Sequence, residues 1–181
     1  WAEMKLGWRF IAARPGLLGL LLFFTVDNFL GTMVSPLLQP MILDGWSPAV
    51  YGFVSSIMGL GMLAGTLAMS AWGGPRRRMF GLLGTGALGG LALALAGLRP
   101  SIPVIAVGMG AYSFLMPTMA GCSQAIWQVK VPPALQGRVF SVRRAIAWSF
   151  TPVAFLVAGP LADHVFKPLL ATGGALAPTL G

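Results

Sequence analysis

The chain has 181 residues, 56% of them hydrophobic and only 9% charged, where a soluble domain carries about 25% charged residues. With a mean hydropathy of +0.81, this composition excludes a water-soluble globular fold and points to an integral membrane protein. The net charge of +8 does not point to nucleic acid, because the basic residues sit between apolar runs, and the lone Cys122 excludes an intrachain disulfide.

Residues 1–15 place Trp1, Met4, Trp8 and Ile11 on one helical face, with Glu3, Lys5, Arg9 and Arg14 largely elsewhere. This spacing predicts an amphipathic linker helix lying in the membrane interface. The other reading is a soluble helix packed on a further domain. The chain begins at Trp1 without an initiator Met or a signal-peptide pattern, so a fragment of a longer protein is expected.

The first span, residues 16–43, is an apolar run about 42 Å long at about 1.5 Å per residue, longer than the hydrocarbon a helix must cross. It is expected to project or break, and Pro36 and Pro40 place that at its later end. Thr25, Asn28, Thr32, Ser35 and Gln39 recur at helical spacing on one stripe, with Asp27 one residue off its axis. Hydrocarbon offers such groups no partner, so the stripe is expected to face other helices or a water-filled cavity. Hydrogen bonding between helices is the plainer reading for the small hydroxyls. Asp27 is the candidate proton- or cation-coupling group, since a carboxyl at mid-membrane depth is costly to keep without a task.

DGWSP turns the chain into the second span, residues 49–72, where Gly61 and Gly65 form a small-xxx-small pair suited to close helix contact. Ser55, Gly59, Met62, Thr66 and Met69 form a weaker stripe, for which packing is the favoured reading. GGPRRR then supplies a tight turn and the cluster Arg76, Arg77 and Arg78. The third span, residues 79–98, is rich in glycine and carries nothing ionisable, so it is read as a structural helix. The fourth, residues 104–129, repeats Ser113, Pro117, Ala120, Gln124 and Gln128 at helical spacing, with Met109, Tyr112, Met116 and Met119 beside them. Pro117 is expected to kink it. Tyr112, Ser113, Met116 and Gln124, with Thr25, Asn28, Thr32, Ser35 and Gln39 of the first span, are candidate substrate contacts, against ordinary packing for the methionines.

KVPPALQGRVFSVRR is a polar interruption in which Pro132 and Pro133 stop a helix and Arg138, Arg143 and Arg144 join Lys130. The fifth span is placed at residues 145–162, completing a bundle over 16–170, and residues 171–181 read as an unfinished outer loop. His164, beside Asp163 at a helix end, suits a surface position rather than a metal ligand. No metal and no cofactor is expected, and with four acids in the chain and no Ser/His pair, HExxH or paired carboxylates, an enzyme is the weakest class.

Lys5, Arg9, Arg14, Arg76, Arg77, Arg78, Lys130, Arg138, Arg143 and Arg144 all fall on the starting side of alternating spans, with only Arg99 and Lys167 opposite. The positive-inside rule makes the starting side cytoplasmic, hence an N-terminus inside, a C-terminus outside and a multi-pass protein of the cell membrane. Contact of these arginines with membrane lipid is compatible with that role.

At GGPRRR, VPPALQGRVFSVRR and GPLADHVF the chain resembles the major facilitator superfamily, in particular drug exporters similar to macrolide-efflux permeases. Residues 71–78 keep the glycine turn and basic cluster of the family's repeated G-x-x-x-D-R-x-G-R-R motif, with Trp72 or Gly73 where its acid would fall. Residues 159–163, ending in Asp163, look like the opening half of the same motif at the outer end of the fifth span, which suits inverted three-helix repeats. The resemblance implies an all-α bundle: five of the six helices of a carboxy-terminal half, with the last helix and the amino-terminal half absent. The first and fourth spans would line a cavity, the second and fifth flank it, and the third support it from outside. It further implies proton-coupled alternating-access export of small amphipathic substrates, with Arg76, Arg77, Arg78, Arg138, Arg143, Arg144 and Asp163 in gating or topology. The alternatives are an importer or lipid transporter on the same fold, and a membrane anchor or assembly module that transports nothing.

Overall fold

The computed structural model describes residues 2–98 and 101–161, all of whose regular structure is helical. The helices are α1 (Ala2–Ala12), α2 (Pro15–Gly45), α3 (Pro48–Trp72), α4 (Arg78–Leu98), α5 (Ile102–Lys130), α6 (Pro133–Ser149) and α7 (Thr151–Leu161). Among the described residues, five stretches are long and apolar enough to cross a membrane: Pro15–Gln39, Pro48–Trp72, Arg78–Gly97, Ile102–Lys130 and the α6–α7 pair over Pro133–Leu161. The chain divides into two compact units, whose boundaries among the described residues fall inside α2 at Pro40 and inside α5 at Trp127.

The first unit holds α1, α2 to Pro40, the end of α5, and α6 with α7. Helix α1 packs along α6. Gly7 permits this closeness, because a Cβ there would lie 2.8 Å from the Arg138 carbonyl oxygen and 3.0 Å from a Val142 methyl. An ion pair between Glu3 and Arg138 ties the two helices at their exposed edge. Arg14 closes the step from α1 to α2: its guanidinium donates to the Phe10 carbonyl at 3.0 Å and lies 3.6 Å from the centre of the Phe10 ring. Further along α2, Met33 is buried with Ala154 and Ala158 of α7, flanked by Phe29, Leu37 and Leu161.

Three features of these helices depart from the sequence expectation. The residues after Lys130 are helical from Pro133 onward, well ahead of residue 145. Pro132 has extended ψ and Pro133 takes the first helical position, where a missing N–H costs nothing, so the pair starts a helix as well as ending one. Gln136 satisfies the end of α5 by donating to the carbonyls of Gln128 at 3.3 Å and Val131 at 3.1 Å. The fifth span is also divided at Phe150, because Pro152 has no N–H to offer the Trp148 carbonyl. Of the two outcomes expected at the later end of α2, projection or a break, the break at Pro36 or Pro40 does not occur: the helix is continuous to Gly45.

In the second unit α5 packs on both α3 and α4. A Cβ on Gly61 would lie 2.5 Å from the Gly110 carbonyl oxygen, and one on Gly65 would strike the carbonyl of Phe114. Backbone therefore meets backbone along α3, as the small-xxx-small spacing predicts. Gly108 meets α4 in the same way, with Ala92 and Ala96 each 2.7 Å from a Cβ placed there. The turn between α3 and α4 depends on two glycines with positive φ, Gly73 at 75° and Gly74 at 78°. The outer residues of α3 and α4 are large and apolar, including Leu60, Leu63, Leu67, Phe80, Leu88 and Leu91, all exposed. Such a surface suits a lipid surrounding and not water.

Candidate functional site

The polar stripe of α2 lies in the first unit. Thr25 is buried and donates to the Leu21 carbonyl at 2.9 Å, while Asn28 is half-buried and donates through Nδ2 to the Phe24 carbonyl at 2.7 Å. These donors are committed to their own helix one turn back, a local solution open to short polar side chains in apolar surroundings. Asp27 and Thr32 are half-buried and Gln39 is exposed; the Ser35 side chain lies outside the described residues. Asp27 makes no ion pair with a described residue. Mid-helix in a 25-residue apolar span, it stands out as the group whose placement nothing structural explains.

Around α2, the same unit assembles a cluster that sequence spacing does not reveal. The Arg143 guanidinium of α6 lies 5.1 Å from the Trp127 ring centre and 5.9 Å from that of Phe24. Trp127 is wholly buried, and its indole Nε1 is a buried donor with no acceptor. Phe24 is one turn from Asp27 on α2, so cluster and stripe are continuous. In sequence, the one signal was an arginine pair immediately before an apolar run; the tryptophan carried none. Arg144 is exposed and lines an open groove of about 870 Å³ with Phe140, Ser141, Ala145 and Trp148.

The α5 candidates belong to the second unit. Ser113 is buried, and its carbonyl lacks the usual donor four residues on, because that residue is Pro117. Tyr112 fills the space left by Gly89 of α4, where a Cβ would lie 3.3 Å from the Tyr112 ring. Met109 and Met119 are buried, which favours packing for those two, while Met116 and Gln124 are half-buried.

The basic cluster after α3 is not three equivalent charges. Arg78 turns inward and donates to the Gly73 carbonyl at 2.8 Å, closing the end of α3. Arg76 and Arg77 are exposed, with Arg77 5.8 Å from the Phe80 ring centre. Arg138 is bound to Glu3. Asp163 and His164 lie outside the described residues.

No family model and no solved structure matches the chain. It is 25% identical over 167 residues to macrolide efflux protein A of Streptococcus pyogenes, covering 90% of this chain and 41% of that protein. It is 28% identical over 131 residues to multidrug efflux pump Tap of Mycolicibacterium fortuitum, covering 72% and 32% respectively. Macrolide efflux protein A of Enterococcus faecalis is 25% identical over 155 residues, 83% of this chain and 48% of its own length. The chain thus spans less than half the length of these relatives. Together with the five membrane-length apolar helices among the described residues, these similarities support a multi-pass membrane protein related to efflux transporters.

Proposed function

We propose that the chain is part of a secondary active transporter of the major facilitator type, which exports small amphipathic, drug- or macrolide-like molecules in exchange for protons. The observation that carries this reading is the similarity, over most of the chain, to proteins named for macrolide and multidrug efflux. Two helix bundles rock about a central site and open it to one side at a time, the second bundle lying outside this chain. Asp27 takes up a proton in the state open to the outside and releases it in the state open to the cytoplasm. With the Thr25 and Asn28 donors committed to α2, Thr32, Ser35 and Gln39 are the substrate contacts that the first unit offers, and Tyr112, Ser113, Met116 and Gln124 those that the second unit offers. The N-terminal side is cytoplasmic in the cell membrane, and Arg76, Arg77, Arg138 and Arg144 hold that orientation and contact anionic lipid.

The test is proton-driven export of a macrolide or a fluorescent cationic dye by the protein that carries this chain, in energised inverted vesicles. Asp27→Asn is expected to insert at the normal level and to lose gradient-driven transport. Undiminished transport by that variant removes the coupling role.

A further inference from the structure

Helix α6 brings three arginines into a span of membrane length, and the protein itself meets two of them. Arg138 pairs with Glu3, and Arg143 is half-buried against the rings of Phe24 and Trp127. Arg144 is exposed and has no ion pair among the described residues. A guanidinium beside hydrocarbon needs compensation, which for Arg144 has to come from its surroundings.

The depth of Arg144 narrows that source. Residues 133–144 hold all three arginines, whereas Ala145 to Leu161 carry no charge. At about 1.5 Å per residue this uncharged run covers about 26 Å, close to the roughly 30 Å of hydrocarbon. Arg144 therefore stands at the edge of the hydrocarbon, level with lipid headgroups. Trp148, one turn deeper, is 63% exposed, as an aromatic side chain of the membrane interface is.

Phe140, Arg144 and Trp148 recur every four residues, on a different face of α6 from the buried Val139, Val142 and Ala147. With Ser141 and Ala145 they line the open groove of about 870 Å³. Ser141 commits its proton to the Gly137 carbonyl at 2.7 Å, so the side-chain donors along the groove are the Arg144 guanidinium and the Trp148 indole N–H. A cationic fork with an aromatic ring one turn deeper matches a phosphodiester and the glycerol beneath it. A net negative charge is required as well, because in a zwitterionic lipid the headgroup's own cation already meets the phosphate.

We propose that this groove on α6 binds one anionic phospholipid, with its phosphate on Arg144 and its glycerol region against Trp148. The lipid completes the compensation of the helix: a carboxylate for Arg138, aromatic rings for Arg143, a phosphate for Arg144. This deepens the lipid contact already given to Arg144, and its leaflet, the cytoplasmic one, rests on the orientation proposed above.

The test reconstitutes the protein that carries this chain in equal parts of phosphatidylcholine and phosphatidylglycerol, with one lipid or the other brominated on its acyl chains. Quenching of Trp148 is read as the difference between the unmodified protein and Trp148→Phe, since the chain has six tryptophans. Phosphatidylglycerol is expected to occupy the site about fivefold in preference to phosphatidylcholine, the factor equivalent to about 1 kcal/mol for one basic residue at the membrane surface. Arg144→Gln is expected to erase that preference, and Arg144→Met does the same should Arg144→Gln fail to insert. Arg144→Lys is expected to keep it. Arg76→Gln, which removes an exposed cation on another element, is expected to leave it unchanged. Equal quenching by the two lipids in the unmodified protein overturns the site. So does a loss in Arg76→Gln as large as in Arg144→Gln, which reads as diffuse attraction of anionic lipid. Quenching of Trp148 by neither lipid overturns it too, because a protein segment then covers the groove. Impermeant thiol labelling of Arg76→Cys reads the orientation separately: labelling from the outer face moves the lipid to the other leaflet and leaves the site in place, whereas a lost preference with labelling from the cytoplasmic face removes the site and leaves the orientation.

Discussion

Thr25 and Asn28 show how a polar stripe inside a membrane can be satisfied without a ligand. Each donates to the carbonyl four residues back, so that donor needs no neighbouring helix or water. Thr25→Val therefore removes one local bond and keeps the shape, and is expected to change stability by less than about 1 kcal/mol and leave export intact. A thermal melt and a transport assay on that variant check both. Arg78 makes a different kind of contact, a clamp across the turn on the Gly73 carbonyl five residues back. Arg78→Ala is expected to lower the melting temperature while Arg76→Ala and Arg77→Ala, at exposed positions, leave it unchanged. The arginine run in the sequence offered no way to separate these roles, because the distinction depends on which side chain the two left-handed glycines turn inward.

At the scale of elements, the α3–α5 contact is a direct outcome of glycine spacing. Gly61 and Gly65 lie one turn apart on one face, and the Gly110 and Phe114 backbone fills the space their side chains would occupy. Gly65→Leu is expected to destabilise the fold by about 1–3 kcal/mol through overpacking. Gly59→Leu is the matched control, since a Cβ at Gly59 meets nothing within 4 Å. Comparing their melting temperatures in one detergent decides the point. The α1–α6 contact divides in the same way. Glu3→Gln loses an exposed ion pair, expected to matter by at most about 1 kcal/mol, whereas Gly7→Leu forces α1 off the Arg138 backbone, and limited proteolysis should release α1 from it alone. The spans and this glycine seam were legible in the sequence, because length, hydropathy and a four-residue spacing are local properties. The start of α6 was not, since three arginines in a helix of low hydropathy imitate a loop until α1 is seen lying along it. Nor was the Arg143 cluster, which draws its members from three separate helices.

At the scale of the molecule, the expected orientation puts ten basic residues on one membrane side, and single cysteines at Arg76 and Lys167 should be labelled from opposite faces by an impermeant thiol reagent. Labelling of both from one face would overturn the topology. The arrangement around α6 also bears on how the protein enters the membrane. Arginine at the centre of an isolated helix costs about 2.5–3.5 kcal/mol in translocon-mediated insertion, and α6 carries Arg138, Arg143 and Arg144. In the folded chain Glu3, Phe24 and Trp127 offset two of those charges, and all three are synthesised before α6. Biogenesis of the last described span is then conditional on its predecessors. The ribosome delivers three arginines to a chain in which the compensating partners of two of them, on α1, α2 and the end of α5, have already been made.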